Sequence, residues 1–300
     1  MGGTSMRMAR INRYLGHPTI CGLAPSHIQK IARIIRAIGW ASFHVLGRKE
    51  VTCWFPNFRI HMCFLVGTGV VTELFVLRDD YEVELGLLSK ILSPGMIFLD
   101  IGANFGLYSL VASQLVGNDG RVLAVEPNPV AAVYLKRNIQ LNLARNVLVF
   151  EKALSDVAER KALWIHELDP FGSSSLSRSR MSSSAVEVET TTLDALCCDL
   201  PRLDLIKIDV EGWETKVLRG GVQTLRRWSP MLIFEVSPKR YKDAGADPRE
   251  AFSILKMYGY KFCVWDGRSL RGVDEEELAC QLSFEDRINV IGLPNPKSQG

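Results

Sequence analysis

The sequence predicts an α/β protein built on a doubly wound, mainly parallel sheet. Between residues 96 and 293, short apolar runs alternate with amphipathic helical stretches, which is typical of a parallel sheet covered by helices on both faces. The first of these runs ends in an acid that glycines follow, as at the carboxyl end of a strand that faces a ligand. With 300 residues, 47% of them hydrophobic, the chain can bury a core of this size.

The chain begins with a basic segment, residues 1–50, which contains an amphipathic helix. Ser26 and Gln29 have the spacing of a capping box, and apolar residues then recur at helical spacing up to Val45. Residues 1–49 hold eight Lys/Arg and no Asp/Glu. The helix could therefore lie on an anionic membrane surface, bind a partner or cover the rest of the protein, and an Arg-rich transit peptide is a further alternative.

Residues 51–80 are predicted to form a small β region before the main domain, residues 81–295. Its three apolar runs, "VTCWF", "RIHMCFLV" and "VVTELFVL", favour a small antiparallel sheet. The main domain then opens with a helix over residues 81–92, which Pro94-Gly95 ends.

The main domain alternates strands with helices. The predicted strands are 96–100, 121–126, 146–151, 203–209, 231–236, 260–265 and 287–293, and the clearest helices are 106–116, 129–142 and 213–226. The stretch between the third and fourth strands reads as irregular. It contains a serine-rich segment, residues 173–184, which we interpret either as a plain loop or as a lid over a substrate.

The sequence "FLDIGANFGLYSL", residues 98–110, carries the first site motif. Asp100 ends the strand, Gly102 permits a tight turn, and Gly106 lets a helix or a ligand come close. The middle glycine of a dinucleotide fingerprint is missing and no Lys-Ser/Thr pair follows, which excludes a Rossmann dinucleotide turn and a P-loop. Asn104 also places an amide where a pyrophosphate needs bare backbone. Close packing alone is the structural alternative.

Glu126 ends the next strand, twenty residues beyond Gly106. A carboxylate there can accept hydrogen bonds from both hydroxyls of a ribose. Together with Asp100, which favours a cation over a phosphate, it predicts a nucleoside cofactor with a positively charged tail. S-adenosylmethionine has this chemistry.

The sequence "LIKIDVEGWETKVLRGG", residues 205–221, carries the second motif. If the strand continues, Lys207, Asp209 and Glu211 share one side of it. Ion pairing at a strand end is the bland interpretation. Our hypothesis is that Asp209 or Glu211 accepts the proton of an acceptor hydroxyl and that Lys207 orients the carboxylates.

Two further candidates are weaker than the Lys207/Asp209/Glu211 group. His166 could act as an alternative base, although an ordinary, partly exposed histidine is the simpler interpretation. Asp209 with Glu235, at the ends of adjacent strands, could hold Mg²⁺, but the metal-free version is favoured.

These motifs, with "VEPNP" and "TTLDAL", resemble the FkbM-type methyltransferases, a branch of the class I S-adenosylmethionine-dependent enzymes, over about residues 80–240. The resemblance implies a seven-stranded, Rossmann-like fold and O-methylation of a hydroxyl on a sugar or secondary metabolite. It implies that the turn after the first strand holds the methionine part, that Glu126 holds the ribose and that Ala153 lies near the adenine. The cofactor residues so implied are Asp100, Gly102, Ala103, Asn104, Gly106, Glu126 and Ala153.

Two other functions stay open at this point. "EPNPVAAVYLKRNIQLN" is also similar to RNA methyltransferases, but the N-P-P-[Y/F] motif of amino-group methylases is absent and residues 51–300 hold 28 basic against 32 acidic residues. A nucleic-acid partner is therefore not favoured. A non-catalytic module that binds a nucleoside, or a membrane through residues 26–46, is the alternative from another class.

The sequence also gives an expectation for location. No signal peptide is recognisable, and seven cysteines without a C-x-x-C pair indicate reduced thiols. We expect a cytoplasmic protein, with peripheral membrane association through residues 26–46 as the open alternative. The acceptor and the oligomeric state cannot be derived from the sequence.

Overall fold

The computed structural model describes residues 24–67, 69–166, 174–177, 182–282 and 287–295. Its helices are α1 (His27–Val45), α2 (Val70–Leu77), α3 (Glu84–Ile91), α4 (Leu107–Val116), α5 (Pro129–Leu141), α6 (Leu193–Cys197), α7 (Glu214–Arg219), α8 (Val222–Trp228), α9 (Pro238–Asp243), α10 (Pro248–Met257) and α11 (Glu275–Gln281). Its strands are β1 (Glu50–Phe55), β2 (Ile60–Leu65), β3 (Ile97–Ile101), β4 (Arg121–Val125), β5 (Val147–Phe150), β6 (Ala153–Leu154), β7 (Arg160–His166), β8 (Ser182–Thr191), β9 (Leu205–Ile208), β10 (Met231–Val236), β11 (Lys261–Trp265), β12 (Leu270–Gly272) and β13 (Ile288–Leu293).

The main sheet has eight strands in the order β5-β4-β3-β9-β10-β13-β11-β12. Strands β5, β4, β3, β9 and β10 are parallel to one another, and β13 runs antiparallel to both β10 and β11. The doubly wound, mainly parallel sheet of seven strands is therefore confirmed, with β12 added at the edge. Strands β3 and β9 lie side by side, so the two site motifs end at the same edge of the sheet.

Two hydrophobic clusters cover the faces of the main sheet. All five residues of β3 are buried, and so are all four of β9, because helices lie on both sides. The β1–β2 hairpin and α1 pack into the first cluster through side chains such as Trp40 and Phe64, and Phe64 contacts Phe105 from the turn after β3. The small N-terminal elements thus share a core with the sheet, which positions that turn from behind.

The third apolar run of the small β region was expected to be a strand and is the helix α2 instead. Only the first two runs form the antiparallel hairpin β1–β2. Five of the eight residues of α2 are buried. A short run that is apolar on all sides cannot be assigned to a strand or a buried helix by periodicity, and here tertiary packing decided.

Two other expectations about elements were wrong. The stretch between the third and fourth core strands contains a separate three-stranded sheet, β6-β8-β7, rather than irregular chain. The predicted helix over residues 213–226 is divided into α7 and α8 at Gly220 and Gly221. A Cβ at Gly220 would overlap the carbonyl oxygen of Ser155, and one at Gly221 would lie 2.5 Å from Leu193. The two glycines allow the chain to pass close to its neighbours there.

Helix α1 begins as predicted, with a capping box between Ser26 and Gln29. Its buried residues are Arg33 and Trp40, and the indole Nε1 of Trp40 donates a hydrogen bond of 3.1 Å to the carbonyl oxygen of Gly67. The face that docks is therefore the one that carries Arg33, and the isoleucine face is exposed. No helix in the described part of the chain is long and apolar enough to cross a membrane.

Candidate active site

The turn after β3, residues 102–106, is called here the cofactor turn. Three of its residues have positive φ: Gly102 (81°), Asn104 (51°) and Gly106 (90°). A Cβ at Gly102 would overlap the backbone carbonyl oxygen of Asp209, and one at Gly106 would lie 2.5 Å from Leu135 on α5. Both glycines are thus required by backbone conformation and by packing, and the predicted tight turn is confirmed.

Glu126 holds the cofactor turn against the end of β4. One carboxylate oxygen accepts a hydrogen bond of 2.7 Å from the backbone N–H of Asn104, and the other accepts one of 2.8 Å from the N–H of Asn128. Burial raises the pKa of Glu126 to about 7, and the two N–H donors oppose this rise. Because a carboxylate has about four acceptor sites, each oxygen keeps capacity for a further donor.

Asp100 is 1% exposed and lies beneath the cofactor turn. Its Oδ2 accepts a hydrogen bond of 2.6 Å from the hydroxyl of Ser109, whereas Oδ1 has no hydrogen-bond partner among the described residues. Burial raises the pKa of Asp100, and Lys207 opposes the rise. An unpaired buried carboxylate oxygen is costly. It is therefore a place where a cationic donor would be stabilised.

Two adjacent cavities open at this edge of the sheet, and Gly102, Asn104 and Asp209 line both. The first cavity has an empty volume of about 660 Å³ and also contacts Glu126, Ala153 and Glu211. The second has an empty volume of about 420 Å³ and is also lined by Tyr81, Glu82, Asp100, Ala103, Tyr108 and Lys207. Six of the seven predicted cofactor residues therefore line one or both cavities. The seventh, Gly106, packs against α5.

The turn after β9, residues 209–212, is called here the acidic turn. Glu211 has φ 57° and Gly212 has φ 94°, and a Cβ at Gly212 would overlap the carbonyl oxygen of Arg240. Oε1 of the buried Glu214 accepts hydrogen bonds from the backbone N–H groups of Val210 (3.1 Å) and Gly212 (3.3 Å). The strand ends at Ile208. The expectation that Glu211 continues its alternation, on the same side as Lys207 and Asp209, was therefore wrong. The left-handed turn brings Glu211 to the first cavity instead.

Lys207 and Asp209 form an ion pair of 2.9 Å at the end of β9. Burial alone would lower the pKa of Lys207, but the carboxylates of Asp209 and Asp100 raise it overall. Burial alone would raise the pKa of Asp209, but Lys207, together with Arg287 and Arg240, outweighs burial and lowers it. The Lys207 ammonium also lies 4.8 Å from the ring centroid of Tyr108. Asp209 is therefore a stable anion and a weak base.

Glu211 and Glu235 differ from Asp209 in the direction in which the protein shifts their pKa. Burial and the Glu235 carboxylate raise the pKa of Glu211 well above its ordinary value, although Arg240, at 2.7 Å, opposes the rise. Burial and Asp209 raise the pKa of Glu235 to about 8, and Arg287 lies 3.1 Å from it. A carboxyl group with a raised pKa is a better proton acceptor near neutral pH than Asp209.

Two stretches of the serine-rich segment are described: residues 174–177, of which Ser174, Ser175 and Leu176 line the first cavity, and residues 182–184, which belong to β8. Asn128 donates a hydrogen bond of 2.7 Å from Nδ2 to the hydroxyl of Ser174, and the hydroxyl of Ser175 donates one of 3.0 Å to the carbonyl oxygen of Glu211. This segment thus connects the end of β4 with the acidic turn. Residues 173 and 178–181, on which the lid interpretation also depends, lie outside the described residues.

The metal and histidine candidates have less support. Within the described ranges, no group of three or more His, Cys, Asp or Glu side chains is arranged to hold a metal ion. Of the predicted metal pair, Asp209 is paired with Lys207 and Glu235 with Arg287, so a cation would compete with both. His166 pairs with Ser182 in the β7–β8 ladder, and its side chain is outside the described part of the structure.

Comparison with known proteins gives the family. Residues 100–262, more than half of the chain, match the methyltransferase FkbM domain. The chain belongs to the FkbM methyltransferase family. The predicted resemblance is confirmed, and S-adenosylmethionine is the cofactor of this class of domain. The FkbM domain match begins at Asp100 and includes the cofactor turn and the acidic turn.

Individual relatives match over different lengths. The 2-O-methyltransferase NoeI of Sinorhizobium fredii is 29% identical over 195 residues, which is 59% of this chain and 78% of NoeI. The ribosomal protein L11 methyltransferase of Acetivibrio thermocellus is 32% identical over 100 residues, 33% of this chain and 28% of that protein. The antimetabolite synthetase AmbE of Pseudomonas aeruginosa is 28% identical over 247 residues, and the match spans 68% of this chain and only 11% of AmbE.

Among solved structures, the methyltransferase FkbM of Methylobacillus flagellatus aligns with a TM-score of 0.41 and 16% identity. The alignment covers 87% of this chain and 60% of that one.

Several residues of this site were not anticipated from the sequence. Glu82 accepts a hydrogen bond of 2.5 Å from the hydroxyl of Tyr108 at the second cavity, and Arg240 pairs with Glu211. Tyr81 and Glu82 had been assigned to a helix that in fact begins at Glu84. They lie just before α3, and no periodic pattern in the sequence marked them as residues of a site.

Proposed function

We propose that the chain transfers a methyl group from S-adenosylmethionine to a hydroxyl of a sugar or secondary metabolite. The observation that carries the proposal is the position of Glu211 in the acidic turn. This carboxyl group, whose pKa is raised, lines the same cavity as Glu126 and the cofactor turn. Hydroxyl methylation needs a base at that position, and the relative NoeI is named a 2-O-methyltransferase.

The cofactor fits the two cavities through the chemistry of their carboxylates. We assign Glu126 to the ribose hydroxyls, because both of its oxygens lie at the first cavity with acceptor capacity left. We assign Asp100 to the cationic end, because its buried Oδ1 lacks a partner among the described residues. Gly102, Ala103 and Asn104 border this space, and Ala153 leaves room for a flat ring because its side chain is small.

When bound, S-adenosylmethionine supplies a methyl group already activated by its sulfonium. The protein then needs to align the acceptor hydroxyl, exclude water and remove a proton. Glu211 accepts that proton, and Arg240 holds its carboxylate in place. Asp209, kept ionised by Lys207, favours positive charge at the same edge. In this proposal, neither the removal of the proton by Glu211 nor the stabilisation of positive charge by Asp209 requires a metal.

RNA methylation is the second candidate. Ribosomal RNA large subunit methyltransferase E of Bdellovibrio bacteriovorus is 36% identical, but over only 78 residues, 24% of this chain. A nucleic-acid enzyme gains most of its affinity from Lys and Arg that contact phosphates. Residues 51–300 hold fewer basic than acidic residues, which favours an uncharged acceptor over RNA.

The test is a cofactor-dependent gain in the acceptor's mass that corresponds to one added CH₂ group, measured by mass spectrometry. The acceptor panel contains glycans, hydroxylated metabolites and a structured RNA, and each reaction is repeated after exhaustive EDTA treatment. We expect methylation of a hydroxyl compound that EDTA does not change. Methylation of the RNA alone would overturn the acceptor assignment, and calorimetry without any binding of S-adenosylmethionine would overturn the enzyme assignment. Loss of activity in EDTA would overturn the metal-free mechanism.

A further inference from the structure

Helix α1 carries an exposed stripe of isoleucines, called here the outer stripe: Ile28, Ile31, Ile34, Ile35 and Ile38. Their exposed fractions are 80, 56, 38, 63 and 65%. They recur three and four residues apart, so they lie on one face of the helix. Val45 and Leu46 extend the apolar surface at the end of the helix, with exposed fractions of 87 and 72%. Contiguous apolar surface of this kind marks an interaction site.

The opposite face of α1 docks on the protein, which is the reverse of an ordinary covering helix. Arg33 is fully buried and pairs with Asp80 at 2.9 Å, and Trp40 is 4% exposed. A helix selected only to cover the core would bury isoleucines and expose the arginine. The buried Arg33–Asp80 pair fixes which face points outwards, because breaking the pair would leave a buried charge without its partner, which is strongly destabilising.

The charges around the outer stripe indicate the chemistry of its partner. By sequence, residues 1–49 contain eight Lys/Arg and no Asp/Glu, and one of the eight, Arg33, is neutralised by Asp80. Lys30 is partly exposed beside the stripe, and Arg48 and Lys49 are exposed just beyond the helix. Two copies of such a segment would repel each other, whereas an anionic surface would attract either one.

We propose that α1 binds the surface of an anionic lipid bilayer. The outer stripe enters the boundary between head groups and acyl chains, while Lys30, Arg48 and Lys49 contact the lipid phosphates. Isoleucines on one face of a helix with flanking cations and no acids are the combination that interfacial helices use. This association is independent of the proposed methyl transfer.

Vesicle co-sedimentation of the full chain tests the proposal. The vesicles are made of phosphatidylcholine with phosphatidylglycerol, or of phosphatidylcholine alone. The test variant is Ile31→Ser/Ile35→Ser/Ile38→Ser. The matched control is Val133→Ser/Val157→Ser/Met257→Ser, which removes three apolar side chains that are 60, 50 and 74% exposed elsewhere on the surface. Thermal unfolding of both variants shows whether they fold as the wild type does.

We expect the wild type and the control to sediment with the anionic vesicles, and binding to weaken with salt because the lipid charges are screened. The isoleucine variant should lose about tenfold or more in partition coefficient, because three apolar side chains no longer leave water for the acyl chains. A Lys30→Glu/Arg48→Glu variant should bind phosphatidylglycerol vesicles less well than the wild type does.

Three results would each overturn the proposal. The wild type could fail to bind anionic vesicles, or the isoleucine variant could bind them as well as the control does. Sedimentation velocity could also show that the full chain self-associates without lipid and that the isoleucine variant does not. That last result would assign the outer stripe to a second copy of the chain.

Discussion

The cofactor turn and the acidic turn follow neighbouring parallel strands and use the same devices, but they treat charge in opposite ways. Each contains residues with positive φ, and each is held by a buried glutamate, Glu126 or Glu214, that accepts two backbone N–H groups. Asp100, before the cofactor turn, keeps an oxygen without a partner among the described residues. Asp209, which begins the acidic turn, is neutralised by Lys207. One backbone design can therefore leave a carboxylate open for a bound cation, as at Asp100, or pair it with a cation of the protein itself, as at Asp209.

The largest effect should come from adding a side-chain atom where the backbones of the two turns are in contact. Gly102→Ala places a Cβ onto the Asp209 carbonyl oxygen at a φ of 81°. We expect the free energy of unfolding to fall by about 4 kcal/mol or more, or the protein not to fold. Urea unfolding measures the change. Gly95→Ala is the matched control: its φ is 84°, and an added Cβ would meet no described atom within 4 Å apart from its chain neighbours, so the variant should cost only about 1 kcal/mol. Equal losses in both variants would show that the contact between the turns is unimportant.

The acidic turn is tested next through Glu211→Gln. We expect kcat to fall about 10²–10³-fold, because the amide cannot accept the acceptor's proton, while the Kd for S-adenosylmethionine changes little. The acid limb of the wild-type pH profile, where kcat rises as Glu211 loses its proton, should disappear. Glu187→Gln, another Arg-paired glutamate but on the exposed surface, should retain wild-type turnover. Retention of the acid limb in Glu211→Gln would assign the base to another residue.

One pair of identical substitutions separates the two aspartates. Asp209→Asn leaves the buried Lys207 ammonium without its ion-pair partner, so we expect unfolding to become easier by about 3 kcal/mol. Asp100→Asn removes a desolvated charge, so the stability of the cofactor-free protein should be unchanged or higher. The Kd for S-adenosylmethionine should instead rise about tenfold. Calorimetry and urea unfolding measure the two quantities. The reverse pattern would exchange the roles assigned to the aspartates.

The smallest effect is a pH dependence of the free energy of unfolding, to which Glu126 and Glu214, the glutamates that hold the two turns, should both contribute. Burial raises the pKa of Glu126 and of Glu214 to about 7, against 4.5 for an ordinary glutamate. The folded state therefore binds more protons than the unfolded state between these values. The stability that each group contributes is fully present below pH 4.5 and is lost as the pH rises through about 7.

Urea unfolding of the cofactor-free protein between pH 5 and pH 8 or so measures this slope. We expect the free energy of unfolding to fall with rising pH across the window. The fall should be smaller in Glu126→Gln and in Glu214→Gln than in the wild type. A stability that rises with pH in this window would contradict the raised pKa values.

Residues at strand ends could be predicted because periodicity locates strands and parallel strands end at one edge. Asp100, Gly102, Glu126 and Lys207 are of this kind. Glu211 reaches the first cavity through a left-handed turn that Glu214 holds, and no periodic pattern encodes that conformation. The sequence therefore indicated Glu211 as a candidate but gave the wrong geometry for it.

Two other features could not be predicted, for a different reason: the contact between Arg240 and Glu211, and the face of α1 that packs on the protein. Arg240 pairs with Glu211 where Gly212 packs closely on α9, a tertiary contact between segments that have no shared pattern. The amphipathic pattern of α1 located its apolar face correctly, yet it could not show that the Arg33 face docks. Periodicity states which residues share a face, whereas the surrounding core decides which face is covered.

The contact between Gly102 and the Asp209 carbonyl oxygen also bears on the entropy of ligand binding. Because the backbones of the two turns meet directly, neither can be rearranged without moving the other, and the carboxylates at the cavities are presented before any ligand arrives. Little conformational freedom is then left to lose when the cofactor binds. Most of the unfavourable ordering has already been incurred during folding, at a single position where only a hydrogen atom fits.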